Sequence, residues 1–149
     1  MAIRPAEEGD ITALKPLIRG YADFYQSDPS DAGIERMARA LIAEPDDRGF
    51  LLVATAGGGD VVGFAAGGWK WSSLRGARIV VLDDLFVAER ARGGGHADAL
   101  IEAVADVARR HGAPVVTWLT APDNHRARAV YDRVGGTAES FLEYELELE

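Results

Sequence analysis

Arg92-Gly93-Gly94-Gly95-His96-Ala97 follows the apolar run from Ile79 to Val87 and opens directly onto an amphipathic helix. Three successive glycines let backbone N–H groups turn inward with no Cβ in the way. The next helix leaves its first N–H groups without intrahelical partners and points the positive end of its dipole at the loop. Together they form an anion cradle into which a pyrophosphate would fit. Two familiar phosphate loops are excluded by spacing: no Lys-Ser or Lys-Thr follows the glycines, and Asp98 stands where a dinucleotide fold needs a third small residue. Taken alone, the six residues also read as a glycine-rich turn that only starts a helix.

Outward from the cradle, Ala97, Leu100, Ile101, Val104, Val107 and Ala108 fall on one face of the following helix at a 3.6-residue period, so it packs on a sheet. Arg109 and Arg110 at its end, with Gly112 just past it, fit the dipole and C-cap rules. Upstream, residues 50–56 and 61–69 read as strands joined by the hairpin signature Gly57-Gly58-Gly59-Asp60, and 77–87 as a third strand. A short strand at 3–6 precedes a helix from an Asp10 N-cap through Tyr21, which Pro16 kinks or starts, and a second helix covers 34–43. Downstream come a strand at 114–120, a helix at 124–134 and a final strand at 141–149.

The chain has 149 residues, 48% of them hydrophobic, enough for one compact core and too few for two. No basic-plus-apolar leader and no apolar run near the ~18 residues of a membrane span occurs, so a soluble, cytoplasmic protein with no membrane partner is expected. Cysteine is absent, which excludes disulfides and a cysteine acyl-enzyme. The three histidines lack ligand spacing, and no metal is expected. A net charge of −8 argues against nucleic acid as a partner and suits a cationic or neutral substrate.

The cradle has the form Arg/Gln-x-x-Gly-x-Gly/Ala, with Arg92, Gly95 and Ala97 at its marked positions. A second segment, Asn124 to Gly135, has the form Asn-x-x-Ala-x-x-Leu-Tyr-x-x-x-Gly, with Val130 in place of Leu. In both, and in its order β-α-α-β-β-β-α-β-α-β, the chain resembles the GCN5-related N-acetyltransferase (GNAT) superfamily. The resemblance implies an α/β (α+β) fold: one domain over residues 1–149, with a mixed, mostly antiparallel central sheet flanked by helices.

It also implies acetyl-coenzyme A as acyl donor, its pyrophosphate held by Arg92, Gly93, Gly94, Gly95, His96 and Ala97. The backbone of Leu85, Phe86 and Val87 would pair with pantetheine, and one N–H there would polarise the acetyl carbonyl. Asn124 would contact the pantetheine arm or the catalytic region, and Tyr131 would be the general acid for the departing thiolate. Arg90, Arg126 and Arg128 are further candidates for the phosphates; the side chains of His96 and His125 read as surface or capping groups.

Direct acyl transfer needs an amine in its free-base form, a donor for the oxyanion and a protonated leaving thiolate. Asp83 and Asp84 stand out because two carboxylates interrupt an apolar strand. On a regular strand neighbours face opposite sides, so at most one faces the acetyl group. The block Leu82 to Val87 resembles that of the spermidine/spermine and thialysine acetyltransferase branch. By that likeness Asp83 is base or water-positioner and Asp84 an amine-binding group; satisfied structural acids at a bulge are the alternative. Asp is one CH₂ shorter than the Glu of that branch, which favours a bridging water over direct abstraction, and Glu143 is another candidate base.

In this superfamily the first two helices wall the acceptor site, which singles out Tyr21, Phe24, Tyr25 and Asp28, with Trp69 and Trp71 at a strand end. Aromatics beside acids suit an ammonium group. The expected acceptor is a small amine, polyamine or amino-acid-like molecule. A protein amine, an aminoglycoside and a non-catalytic acyl-coenzyme A-binding module are the alternatives. The last strand, Phe141 to Leu146, resembles segments through which GNAT members pair, so a homodimer is expected.

Overall fold

The computed structural model describes residues 1–148, apart from the side chains of Asp46 and Asp47. Two compact units follow one another, Met1–Leu119 and Thr120–Glu149. The first is built on a five-stranded sheet ordered β1 (Ala2–Pro5), β2 (Phe50–Thr55), β3 (Val61–Ser72), β4 (Ala77–Val87), β5 (Val116–Thr117). The first three pairings are antiparallel and β4–β5 is parallel, so the sheet is mixed and mostly antiparallel as expected.

The helices of this unit are α1 (Ile11–Phe24), α2 (Asp31–Ala43), the single turn α3 (Pro45–Arg48) and α4 (His96–Arg110). Each face of the sheet has its own core. Leu14, Leu17 and Ile18 of α1 and Ile34 and Ala38 of α2 pack with Leu51, Val53 and Phe64 on one side. Leu100, Val104, Val107 and Ala108 of α4 pack with Leu52, Ala65, Val80 and Leu82 on the other. Four of the six α4 residues picked out by periodicity thus lie in that second core, and burying each large aliphatic side chain stabilises the fold by about 1.5–3 kcal/mol.

Local chemistry shifts some expected boundaries. Ser30, whose Oγ accepts from Gly33 N at 3.0 Å, starts α2 three residues before the first periodic apolar position. Asp10 precedes α1 but does not cap it: its carboxylate accepts from Arg4 at 2.7 and 2.9 Å and from Glu7 N at 2.7 Å. The Arg4 bond holds the Asp10 carboxyl below the usual carboxylate range. Pro16 lies inside α1 rather than at its start.

The second unit contains α5 (His125–Arg133). The expected final strand is not formed: residues 137–148 lie in no strand, and Glu149 is outside the described residues. Phe141, Leu142, Tyr144, Leu146 and Leu148 are 78–89% exposed there. A strand exists only through its ladder partners, and alternation of apolar residues with glutamates cannot supply one. Among the described residues no helix is long and apolar enough to cross a membrane.

Candidate active site

The site residues of the first unit are organised by an irregularity in β4. Across the ladder Ala66 faces Asp84 whereas Gly67 faces Leu82, so Asp83 is an extra residue, a β-bulge. The bulge resets which side of the sheet each following residue faces. Val80 and Leu82 belong to the α4-side core, and so do Leu85 and Val87. Phe86 packs on the α1/α2 side. Without the extra residue Asp84, two positions from Leu82, would point at α4. The simple alternation expected for Asp83 and Asp84 is therefore corrected, because a bulge breaks the two-residue period.

Pairing between β4 and β5 consists of Val80 with Val116 and Val81 with Thr117, and stops just before the bulge. A bulge bends its strand, which is why the strand expected over 114–120 runs no further than Thr117; its start is shorter too, at Val116. Leu85, Phe86 and Val87 pair with Ala65, Phe64 and Gly63 of β3 and have no partner strand on the β5 side among the described residues. That edge can pair with an extended polar ligand. The Val87 carbonyl is already used, accepting from Arg92 Nε at 3.0 Å.

Burial raises the carboxyl pKa of both acids. Asp84 is the more enclosed; the Asp83 charge adds to its shift, and a hydrogen bond with Tyr21 partly offsets it. The Tyr21 hydroxyl also donates to the Asp83 carbonyl at 3.1 Å. The Tyr25 ring lies 5.0 Å from that of Tyr21, and Phe24 packs edge-on against Tyr25. Tyr21, Tyr25, Asp83 and Asp84 are thus brought together on the α1 side. Trp71 is not. It follows Trp69, a member of the α4-side core, by two residues, and is 78% exposed beside Arg78. Asp28 is fully open to solvent and pairs loosely with Arg19.

Sequence reading placed Tyr21 only in an acceptor wall and missed its bond to the bulge. The available signal was the preceding Gly20, where an added Cβ would meet Phe86 Cζ at 2.8 Å. Only a glycine lets α1 come this close to β4.

The glycines 93–95 form the turn that leads into α4. Gly93 and Gly95 have φ of 85° and 81°, in the left-handed region, and Gly95 is the N-cap of α4 with no side chain to cap it. An acyl donor's pyrophosphate fits this backbone, since the glycines open the loop and the helix end offers N–H groups. Arg92 is held over the Phe86 ring at 5.7 Å as well as to Val87, so its charge is fixed beside the loop. His96 is corrected from surface to interior: it is 8% exposed, its Nδ1 has no hydrogen-bond partner, and its ring backs the loop at Gly94. Arg90 reaches Asp60 at 3.5 Å across the neighbouring turn.

In the second unit Asn124 caps α5, its Oδ1 accepting from Ala127 N at 3.3 Å. Tyr131 is half-buried near the end of α5, two turns from the cap. Arg128 donates to the Pro122 carbonyl at 2.6 Å and braces the turn before the helix. Glu143 is exposed.

Residues 15–136 match the acetyltransferase (GNAT) family. The chain is 33% identical over 135 residues to the uncharacterized N-acetyltransferase YhfO of Bacillus subtilis, covering 91% of this chain and 89% of that protein. It is 31% identical over 143 residues to the D-amino-acid N-acetyltransferase HPA3 of Saccharomyces cerevisiae, covering 95% and 88%. The crystal structure of a probable acetyltransferase superposes with a TM-score of 0.84 at 27% identity, covering 100% of this chain and 99% of the other. A glycine cradle at a helix start, a bulged strand with an open edge and a match over four-fifths of the sequence lead to one assignment: the chain belongs to the GNAT family of acetyl-coenzyme A-dependent N-acetyltransferases.

Proposed function

We propose that the protein transfers acetyl from acetyl-coenzyme A directly to the primary amine of a small molecule, amino-acid-like or polyamine, within a ternary complex. The observation that carries this reading is the acid–aromatic cluster of Asp83, Asp84, Tyr21 and Tyr25 beside the open edge of β4. A carboxylate framed by aromatic rings recognises an ammonium group, by charge and by the ring faces. The yeast relative, an acetyltransferase of D-amino acids, supports an acceptor of this size. Within the family, the block Leu82 to Val87 favours the spermidine/spermine and thialysine branch.

The donor supplies the activated acetyl group. Arg92, the 93–95 glycines and the backbone of His96 and Ala97 hold its pyrophosphate; the β4 edge at Leu85 and Phe86 orders its arm, with Asn124 contributing. Asp84 binds the acceptor's ammonium form, and Asp83 takes its proton through a water. Tyr131 protonates the leaving thiolate. The whole of 1–149 acts as one domain.

Thiol release from acetyl-coenzyme A should accompany acetylation of amino acids or polyamines and be slower by about 10-fold or more with aminoglycosides and peptide N-termini. Turnover restricted to peptides or aminoglycosides would replace the acceptor class. Binding of acetyl-coenzyme A with no turnover would favour a non-catalytic module.

Phe141, Leu142, Tyr144, Leu146 and Leu148 support a homodimer in which residues 141–148 of each copy pair with the other. Light scattering should give twice the monomer mass, and a chain ending at Ser140 should give the monomer mass.

A further inference from the structure

We propose that Tyr21 is a positioning residue for the acceptor site: its single hydroxyl pins the β4 bulge through the Asp83 carbonyl and orients the Asp84 carboxyl toward α1. This rests on the reading of Asp84 as the amine-binding group. Three independent contacts hold the hydroxyl in place. The Tyr21 ring packs edge-on against Phe64 at 6.1 Å and Phe86 at 6.5 Å, and Tyr25 covers it at 5.0 Å. Gly20, one residue earlier, admits Phe86 to the helix surface where any Cβ would collide. The phenol therefore arrives at the bulge already ordered.

A phenol has one proton to give and lone pairs to receive. Tyr21 faces two acceptors, the Asp83 carbonyl and the Asp84 carboxylate. When Asp84 is protonated, its O–H donates to the Tyr21 oxygen while the phenol keeps its bond to the Asp83 carbonyl. When Asp84 is ionised, the phenol proton serves the carboxylate as well and stabilises its charge. The titratable groups facing Asp84 are Asp83 on its own strand and Tyr21 on α1. Ala66 lies opposite on β3, and the Arg92 cation stands over Phe86 two residues along.

The hydroxyl lowers the pKa that burial raises, so its removal has a definite sign. Tyr21→Phe keeps the ring and the packing. In a carbon-13 carboxyl titration of the free protein the Asp84 midpoint should rise by about half a unit or more in the variant, a shift in a charge-assisted hydrogen bond. The acid limb of kcat/KM for the amine should move up with it, KM rising more than kcat falls. Tyr25→Phe should leave the Asp84 midpoint in place. An unchanged Asp84 midpoint in Tyr21→Phe overturns the proposal, as does an equal shift in Tyr25→Phe. A raised midpoint without any acetyl transfer by wild type would uphold the Tyr21 contact and sink the role of Asp84 in amine binding. Should Tyr21→Phe not fold, wild type carries the second test: the Tyr21 Cζ resonance should respond as the Asp84 carboxyl ionises, because the phenol is its hydrogen-bond partner, and a Tyr21 Cζ that does not move through the Asp84 midpoint overturns the proposal.

Discussion

Tyr131→Phe is expected to lower kcat by about 10²-fold or more while the affinity for acetyl-coenzyme A stays within a few-fold of wild type. The change deletes one oxygen from a half-buried ring in α5 and leaves the helix and its Asn124 cap intact. A group that acts only as the leaving thiolate takes up its proton contributes to the transition state and not to ground-state binding. Steady-state kinetics on the best amine, with calorimetric binding of acetyl-coenzyme A to both proteins, separates the two quantities. Equal loss of binding and rate would make Tyr131 a packing or binding residue, and an unchanged kcat would remove it from the reaction.

Asp84→Asn carries the second large effect, with opposite signs for activity and stability. Activity toward a cationic amine should fall by about 10²-fold, because the neutral amide cannot hold an ammonium group as a carboxylate does. Stability should rise at pH 7. Burial raises the Asp84 pKa in the folded protein above its unfolded value, so the folded state holds this proton more tightly than the unfolded chain. Stability from this group is then greatest below the unfolded pKa of about 3.9, declines as pH rises through the folded pKa, and stays reduced at neutral pH. Asn abolishes the penalty. A gain of about 1 kcal/mol, a few degrees in Tm for a domain of this length, is expected at pH 7 and should vanish near pH 3. Thermal unfolding of both proteins at the two pH values tests it. A loss of stability at pH 7 would mean that Asp84 is a satisfied structural acid and not a strained functional one.

A half-buried, partly satisfied carboxylate costs folding free energy, and Asp84 lies on the tyrosine side of the sheet at the one place where β4 leaves its regular period. The bulge delivers Asp84 to the α1 face and, at the same point, ends the pairing with β5, which leaves the backbone edge of residues 85–87 open.

The sequence by itself determined the elements whose cause is local. The period of Leu100, Val104, Val107 and Ala108 identified α4 and its buried face, since side chains three and four apart share a helix side whatever surrounds them. Three glycines before a helix identified the cradle, because positive φ at Gly93 and Gly95 is a property of the residue type. Only the tertiary structure decided where Asp83 and Asp84 point, that His96 is interior, that Trp71 lies away from the acid–aromatic cluster, and that residues 137–148 lie in no strand. Each depends on a partner distant in sequence: Tyr21 lies 62 residues before Asp83. An extra residue in a strand is visible only against the strand it fails to match, and a strand itself exists only when another backbone takes its hydrogen bonds.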